Sequence, residues 1–298
     1  MKKKILIVGG TGFIGFYVAK NALKKKYYVE SISTKRPKSK RRLKKVKYLI
    51  CDISKKRNLE KIAKRKYDYV INLGGYVNHR DKDQVFKSHY LGCKNLVQIF
   101  LNSKIKSFVQ LGSGAEYGNV KSPIKETSVC KPKAPYGKAK LKSTLYLKKM
   151  FKKNNFPATI LRLFQAYGPK QDLNRVIPIS INSCIKNKNF PCSNGKQLRD
   201  FIHVNDVVEA IFKSLNTKKC SGEIINIGSG NPIEIKKLIK KIVILAGGGK
   251  PEFGKIPLRV DETKKNFPDI SKAKKILKWK NRINLITGLK QTIKSYRQ

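Results

Sequence analysis

The chain has 298 residues, with 68 Lys and Arg against 18 Asp and Glu, so its formal net charge is +50. That length suits one large α/β unit or two unequal lobes, and a composition of 40% hydrophobic and 9% aromatic residues excludes global disorder. No apolar run approaches the ~20 residues of a transmembrane helix, so no membrane partner is expected.

The opening MKKKILIVGG resembles the start of a signal peptide, but its apolar part stops at Val8 and Gly9-Gly10 follow directly. It therefore reads as a buried strand, Lys4 to Val8, which predicts no export address and a cytoplasmic protein. A helical pattern runs from Phe13 to about Lys25 and a second strand from Tyr27 to Ser33. The stretch Lys35 to Lys47 reads as a basic loop, followed by a short strand at Tyr48 to Ile50. Helix (Asn58 to Lys66), strand (Tyr69 to Leu73), long helix (Gln84 to Leu101) and strand (Ser107 to Leu111) come next. Pro135 starts another long helix, as Pro is tolerated at the first helical position, and Ala158 to Leu163 is the next strand. This alternation predicts an α/β fold with a parallel, doubly wound sheet. After about Gly168 the rhythm loosens. Helical pieces (Val176 to Lys186, Val207 to Leu215, Ile235 to Leu245, Ser271 to Leu277) alternate with short strands at Phe201-Ile202 and Ile224 to Ile227, and Gly247 to Pro251 reads as a loop. Residues 169–298 are thus read mostly as a smaller α/β cap lobe, with the strand near 224–227 joining the main sheet.

The charge raises nucleic acid as a partner. The basic residues, however, are spread along the whole chain, most are Lys where base-reading sites favour Arg, and no zinc-finger spacing or RNP-type aromatic motif is present. A solvated Lys-rich surface is the reading, with weak, salt-sensitive polyanion binding and no specific nucleic-acid partner. The six cysteines form no C-x-x-C pair, and the three histidines have no ligand spacing; buried thiols in a reducing compartment and no metal are expected.

Gly9-Gly10-Thr11-Gly12-Phe13-Ile14-Gly15 ends a predicted strand and opens a predicted helix. Glycines at 9, 12 and 15 let the backbone turn sharply and approach a pyrophosphate, to which the helix offers N–H groups and partial positive charge. This marks residues 1–168 as a dinucleotide-binding Rossmann domain. An acidic residue at the end of the second strand would hydrogen-bond the ribose of NAD. Here the segment reads Ser33-Thr34-Lys35-Arg36, and Glu30 should point away from the strand tip. Hydroxyls followed by Lys35 and Arg36 suit a 2′-phosphate, which favours NADP over NAD. Asp52, just past the third strand, is placed to accept from the adenine amino group.

Tyr136 and Lys140 lie four apart on one helix face. An ammonium beside a phenol favours the phenolate, which suits proton transfer. Tyr90–Lys94 and Tyr117–Lys121 share the spacing, but only Tyr136 directly follows a helix-starting Pro. Ser113 follows the preceding strand and would emerge at the carboxyl edge of the sheet, where ligands bind in open α/β folds.

GGTGFIG at 9–15, CDIS at 51–54, INLGG at 71–75, GSGAEYG at 112–118, PYGKAK at 135–140, LRLFQAYGP at 161–169, LRDFIHVNDVV at 198–208, INIGSG at 225–230, PLRVDE at 257–262 and DISKAKKILKW at 269–279 together resemble the extended short-chain dehydrogenase/reductase family. Within it the likeness is specifically to nucleotide-sugar epimerases and dehydratases, over essentially the whole chain. The resemblance implies that Ser113 and Tyr136 bind the sugar oxygen, usually at C4, that Tyr136 moves the proton, and that Lys140 tunes it and holds the nicotinamide ribose. It implies cofactor contacts at Gly9, Gly12, Phe13, Ile14, Gly15, Ser33, Lys35, Arg36, Asp52, Ile53, Leu73, Tyr136 and Lys140. Arg199 and Arg259 match positions that bind the substrate diphosphate, Glu262 an acidic position near the nucleoside ribose, and Gln165 a loop position that touches the sugar or diphosphate. For Arg199 the alternative is a structural pair with Asp200 or Asp206. Dehydratases carry an Asp-Glu pair after the catalytic Ser or Thr; Gly114-Ala115 stand here, which argues against dehydration. Gln165 replaces a more usual Asn, as does His89. The expected activity is a nucleotide-sugar 4-epimerase. Alternatives are an NADPH-consuming 4-keto-sugar reductase and a non-catalytic cofactor sensor or polyanion binder. The expected partner is a nucleotide-diphosphate sugar, and a homodimer through helices 84–101 and 135–153 would match similar proteins.

Overall fold

Strands and helices alternate along the computed structural model, which describes residues 2–76, 78, 81–258 and 262–297. In chain order, β1 (Lys4–Val8) feeds α1 (Phe13–Lys24), followed by β2 (Tyr28–Ser33), β3 (Val46–Ile50), α2 (Lys56–Ala63) and β4 (Tyr69–Asn72). Next, α3 (Lys82–Phe86) runs through a π-turn at Lys87–Leu91 into α4 (Gly92–Phe100), followed by β5 (Ser107–Ser113), α5 (Pro135–Asn154) and β6 (Ala158–Leu163). Beyond these lie β7 (Gln165–Tyr167), α6 (Val176–Ile185), β8 (Asn189–Cys192), β9 (Leu198–His203), α7 (Val204–Asn216) and β10 (Ile224–Ile227). The chain finishes with β11 (Pro232–Glu234), α8 (Ile235–Ala246), β12 (Lys250–Phe253), β13 (Lys265–Asn266), α9 (Ser271–Leu277) and α10 (Leu285–Arg297).

Seven strands pair in parallel in the order β10-β6-β5-β4-β1-β2-β3. The interior strand β1 explains why: Ile5, Leu6, Ile7 and Val8 are all fully or almost fully buried, as strands covered on both faces must be. Alternate residues point to opposite faces. Ile5 and Ile7 pack with Val18, Ala19 and Ala22 of α1 and with Val207, Val208 and Ile211 of α7. Leu6 and Val8 pack with Leu59 and Ile62 of α2, with Leu96, Val97 and Phe100 of α4, and with Leu147 of α5. A third apolar cluster, built on Ile177, Ile181, Phe190, Phe201, Leu238, Ile239, Ile242 and Leu289, joins α6, α8 and α10 to the small sheets. Among the described residues no helix is long and apolar enough to cross a membrane.

Several elements differ from the expected ones. β3 begins at Val46, inside the stretch read as a basic loop, because Val46 is buried between polar neighbours. β12 occupies part of the loop expected at Gly247 to Pro251, paired with β8. The long helix starts at Lys82, where the Asp81 carboxylate accepts from the Gln84 N–H at 3.0 Å and caps it. α10 was not expected at all: Leu289 and Ile293 are buried one turn apart, but the surrounding polar residues hide that period.

His203, the N-cap of α7, accepts from the Asn205 N–H at 3.3 Å and stands edge-on to Tyr167. Burial pushes its imidazole down to about 4. The unfolded chain therefore takes up this proton near the ordinary histidine value of ~6.5, whereas the folded chain resists until about 4. Folding stability falls across that window as the pH drops, by about 3 kcal/mol in all. His203→Asn, which keeps a capping side chain, is expected to lose that fall. Urea unfolding of both proteins at neutral and at acid pH checks it, and equal acid losses would refute it. Asp200 and Asp206, both raised chiefly by burial, titrate in both proteins and cancel.

Candidate active site

The chain leaves β1 toward β2 and β3 and returns to β4 on the other side, so the carboxyl ends of β1 and β4 bound a crevice. At the tip of β1, Gly9 has φ +80°, a conformation that side chains disfavour. A Cβ on it would lie 3.1 Å from the Leu73–Gly74 backbone, so the two strand tips touch. A Cβ on Gly15 would lie 2.2 Å from the Gly9 carbonyl oxygen, so α1 starts hard against the turn. Among the described residues a Cβ on Gly12 would meet just the Gly9 oxygen, at 3.3 Å, leaving its outer side open. Gly12 is the N-cap of α1; no side chain caps that helix among the described residues, and its first turn carries no acid. The first N–H groups of α1, from Phe13 to Gly15, thus end the helix with positive character, and the cradle fits a dinucleotide pyrophosphate.

Next to this cradle, the Ser33 hydroxyl donates to the Ile32 carbonyl at 2.8 Å, and Lys35 and Arg36 are exposed. Glu30 is turned away from the strand tip. It is buried beside Lys4 at 3.3 Å and Arg65 at 3.2 Å and accepts from Tyr67. Burial opposes its charge, but these partners win and hold its carboxyl below the ordinary range. Asp52 accepts from the N–H and the hydroxyl of Ser54 through one oxygen, at 2.9 and 2.8 Å. Ile53 is buried against Gly92 and Gly74, and the Leu73 N–H donates to the Val8 carbonyl at 3.0 Å.

β5 runs on to Ser113, beyond its expected end at Leu111, so Ser113 stands at the carboxyl edge of the sheet. Its oxygen accepts from the Ala115 N–H at 3.1 Å, which leaves the hydroxyl proton available to donate. Tyr136 is half-buried at the start of α5, and Lys140 is buried one turn later. The Lys140 ammonium donates to the Leu111 carbonyl at 2.7 Å and lies 5.9 Å from the Tyr136 ring centroid. A Cβ on Gly137 would fall 2.5 Å from the Ala115 carbonyl oxygen, so α5 meets the turn that follows Ser113. The His89 ring, in the π-turn, stands edge-on to Tyr136 at 5.0 Å and fills the space a Cβ on Gly75 would need. Gly9, Gly74, Gly75, His89 and Tyr136 thus form a continuous row from the glycine turn to the phenol.

The other two Tyr–Lys pairs have different surroundings. Tyr117 is fully buried and donates to Asn226 at 2.7 Å; Tyr90 packs against Phe86 and Tyr146. On the cap side, Arg199 is almost fully buried in β9 and bonds Glu262 and the Thr263 carbonyl. The pairing with Asp200 or Asp206 is not what forms, because Asp200 accepts from Ser229 and Gly230 and Asp206 from the Arg282 and Ile283 N–H groups. Gln165 is exposed at the start of β7. Arg259 lies outside the described residues. Glu116 escaped the sequence reading. It is fully buried in an ion pair with Arg162 at 2.8 Å, and its position three residues after Ser113 in a capping box was the available signal.

A model of the NAD-dependent epimerase/dehydratase family matches residues 5–228. The "Putative UDP-glucose 4-epimerase" of Methanocaldococcus jannaschii is 30% identical, with 97% of each chain covered. The UDP-glucose 4-epimerase of Thermotoga maritima, solved with UDP-glucose, superposes with a TM-score of 0.93 at 27% identity over 99% of this chain and 98% of that one. The UDP-glucuronic acid 4-epimerase of Bacillus cereus, solved with UDP-glucuronic acid and NAD, gives 0.88 at 25% identity over 99% of each. Relatives also include dTDP-D-glucose 4,6-dehydratases.

Proposed function

Because the chain belongs to the NAD-dependent epimerase/dehydratase family, we propose that it is a 4-epimerase of nucleotide-diphosphate sugars, with UDP-sugars as the first candidates. One observation carries this reading: Ser113, Tyr136 and Lys140 gather at the sheet edge, in a row of contacts that leads back to the glycine turn. The N–H groups opening α1, together with Gly9 and Gly12, would hold the pyrophosphate, and Asp52 and Leu73 would flank the adenosine and nicotinamide halves. When bound, the nicotinamide supplies a hydride acceptor at sugar C4 and gives the hydride back.

The protein's own residues manage the proton. Tyr136 accepts the C4 hydroxyl proton as the C–H bond breaks and returns it when the bond re-forms on the opposite face. Ser113 donates to the same oxygen, since its own acceptor position is engaged by Ala115. The Lys140 ammonium, buried 5.9 Å from the Tyr136 ring centroid and fixed on the Leu111 carbonyl, would hold the nicotinamide ribose and keep a positive charge beside the phenol while the proton moves. Elimination of water would need an acid and a base beside Ser113. Gly114 and Ala115 stand there, and Glu116 is enclosed with Arg162, which argues against dehydration. Arg199 and Glu262, now paired with each other, would part to receive the substrate diphosphate and ribose.

A second reading, a 4-keto-sugar reductase that consumes NADPH, draws on the exposed Lys35 and Arg36 and the enclosed Glu30. A panel of UDP-, GDP-, CDP- and dTDP-sugars, read for epimer formation and for loss of nicotinamide absorbance, separates the two. Epimer formed without net cofactor loss supports the epimerase, and stoichiometric loss of NADPH eliminates it. KM is expected to be lower for NADP(H) than for NAD(H) by about tenfold, the worth of one charge-assisted phosphate contact. A preference for NAD(H) would overturn that assignment.

A further inference from the structure

We propose that Glu116 is a positioning residue that fixes Ser113 relative to Tyr136, an inference that rests on the catalytic reading above. One carboxylate ties together the elements that carry the two groups. Its Oε1 accepts from the Ser113 backbone N–H at 2.9 Å, and its Oε2 accepts from Thr144 Oγ1 at 2.7 Å and Arg162 Nε at 2.8 Å. Thr144 lies two turns along α5 from Tyr136, on the face that carries Lys140. Ser113 ends β5, and Arg162 belongs to β6, whose register sets Arg162 opposite Gly112.

The site around the carboxylate is closed. Glu116 is fully buried, and a Cβ on Gly112 would fall 2.6 Å from its Oε1, so glycine alone admits it beneath the strand tip. The Arg162 guanidinium stacks 4.3 Å from the Tyr117 ring centroid, and the Tyr117 hydroxyl donates to Asn226 of β10. The network therefore ties the tip of β5 to β6, to β10 and to α5. Glu116 touches no reacting atom. Its effect passes through the position of Ser113 and the seating of α5, and catalysis is sensitive to such spacing because a misplacement of about 1 Å can cost roughly 100-fold.

Two variants test this on whichever sugar the parent turns over, with Tyr136→Phe measured in parallel. Thr144→Val removes one tie without altering charge. Glu116→Met combined with Arg162→Met removes the whole pair, an exchange for apolar side chains that often leaves stability intact. Both are expected to melt near the parent temperature and to lose kcat, by about threefold to tenfold for Thr144→Val and by about 10- to 100-fold for the double variant, with sugar KM within about twofold. Ser113→Ala is expected to cost several-fold less in either background than in the parent, because contacting residues couple. Parent-like kcat in a folded variant, or an undiminished Ser113→Ala penalty, overturns the proposal. If the double variant does not fold, Thr144→Val decides alone. If Tyr136→Phe keeps parent activity, the catalytic reading fails instead, and the two failures are told apart.

Discussion

Tyr136→Phe is expected to fold like the parent and to turn over nucleotide sugar about 1000-fold more slowly, within the range that a positioned proton carrier contributes. The substitution removes one oxygen. The ring contact with His89 at 5.0 Å, the placement over Lys140 and the packing of Gly137 against Ala115 all survive it, so the melting temperature should hold. Without the phenol, Ser113 can still donate to the C4 oxygen but no group is poised to carry its proton away. The loss should therefore appear in kcat far more than in sugar KM, since an interaction used in the transition state is the one removed. Steady-state kinetics on purified proteins of matched melting temperature check this. Unchanged turnover would end the assignment of the chemistry to the Ser113, Tyr136 and Lys140 group.

Gly15→Ala is expected to abolish dinucleotide binding and to destabilise the fold. The new Cβ would lie 2.2 Å from the Gly9 oxygen, 2.6 Å from Gly10 Cα and 2.9 Å from the Gly10 carbonyl carbon. All three are backbone atoms, so relief requires opening the turn itself. Alanine gains roughly 1 kcal/mol over glycine inside a helix, while overpacking of this kind costs about 1–3 kcal/mol and at times more, so the steric term wins. Gly12→Ala is the informative contrast. Its Cβ meets the Gly9 oxygen at 3.3 Å, so the chain should fold nearly as well, but the methyl group would stand where the pyrophosphate approaches. Calorimetric titration with the dinucleotide and denaturant unfolding separate the cases: binding is lost in both, stability in Gly15→Ala alone. Binding retained by both variants would remove the glycine turn from the cofactor site.

The sequence was most informative where the signal is local. The apolar run Lys4 to Val8, the glycines at 9, 12 and 15, and the Pro135-Tyr136 helix start each lie within one stretch of chain. Steric rules and hydrogen-bond geometry act there over a few bonds, so pattern predicts placement. The same logic missed α10, whose apolar period is thinned by lysines and polar residues, and ended β5 at Leu111, because Gly112 and Ser113 have no apolar side chain to mark them as strand.

The amino-acid sequence by itself determined the alternating α/β framework and placed the glycine turn and the Pro135-Tyr136 helix start, since each depends on spacings within a turn or a helix face. Tertiary structure decided what surrounds each of the three Tyr–Lys pairs and which partner Arg199 takes. It also brought Glu116, Thr144 and Arg162 together beneath Ser113. This gathering depends on the parallel register of β5 and β6 and on how α5 seats against them. Residues dozens of positions apart become neighbours there only once the open sheet and α5 have assembled, and the local spacing of Glu116 from Ser113 does not name Thr144 or Arg162 as its partners.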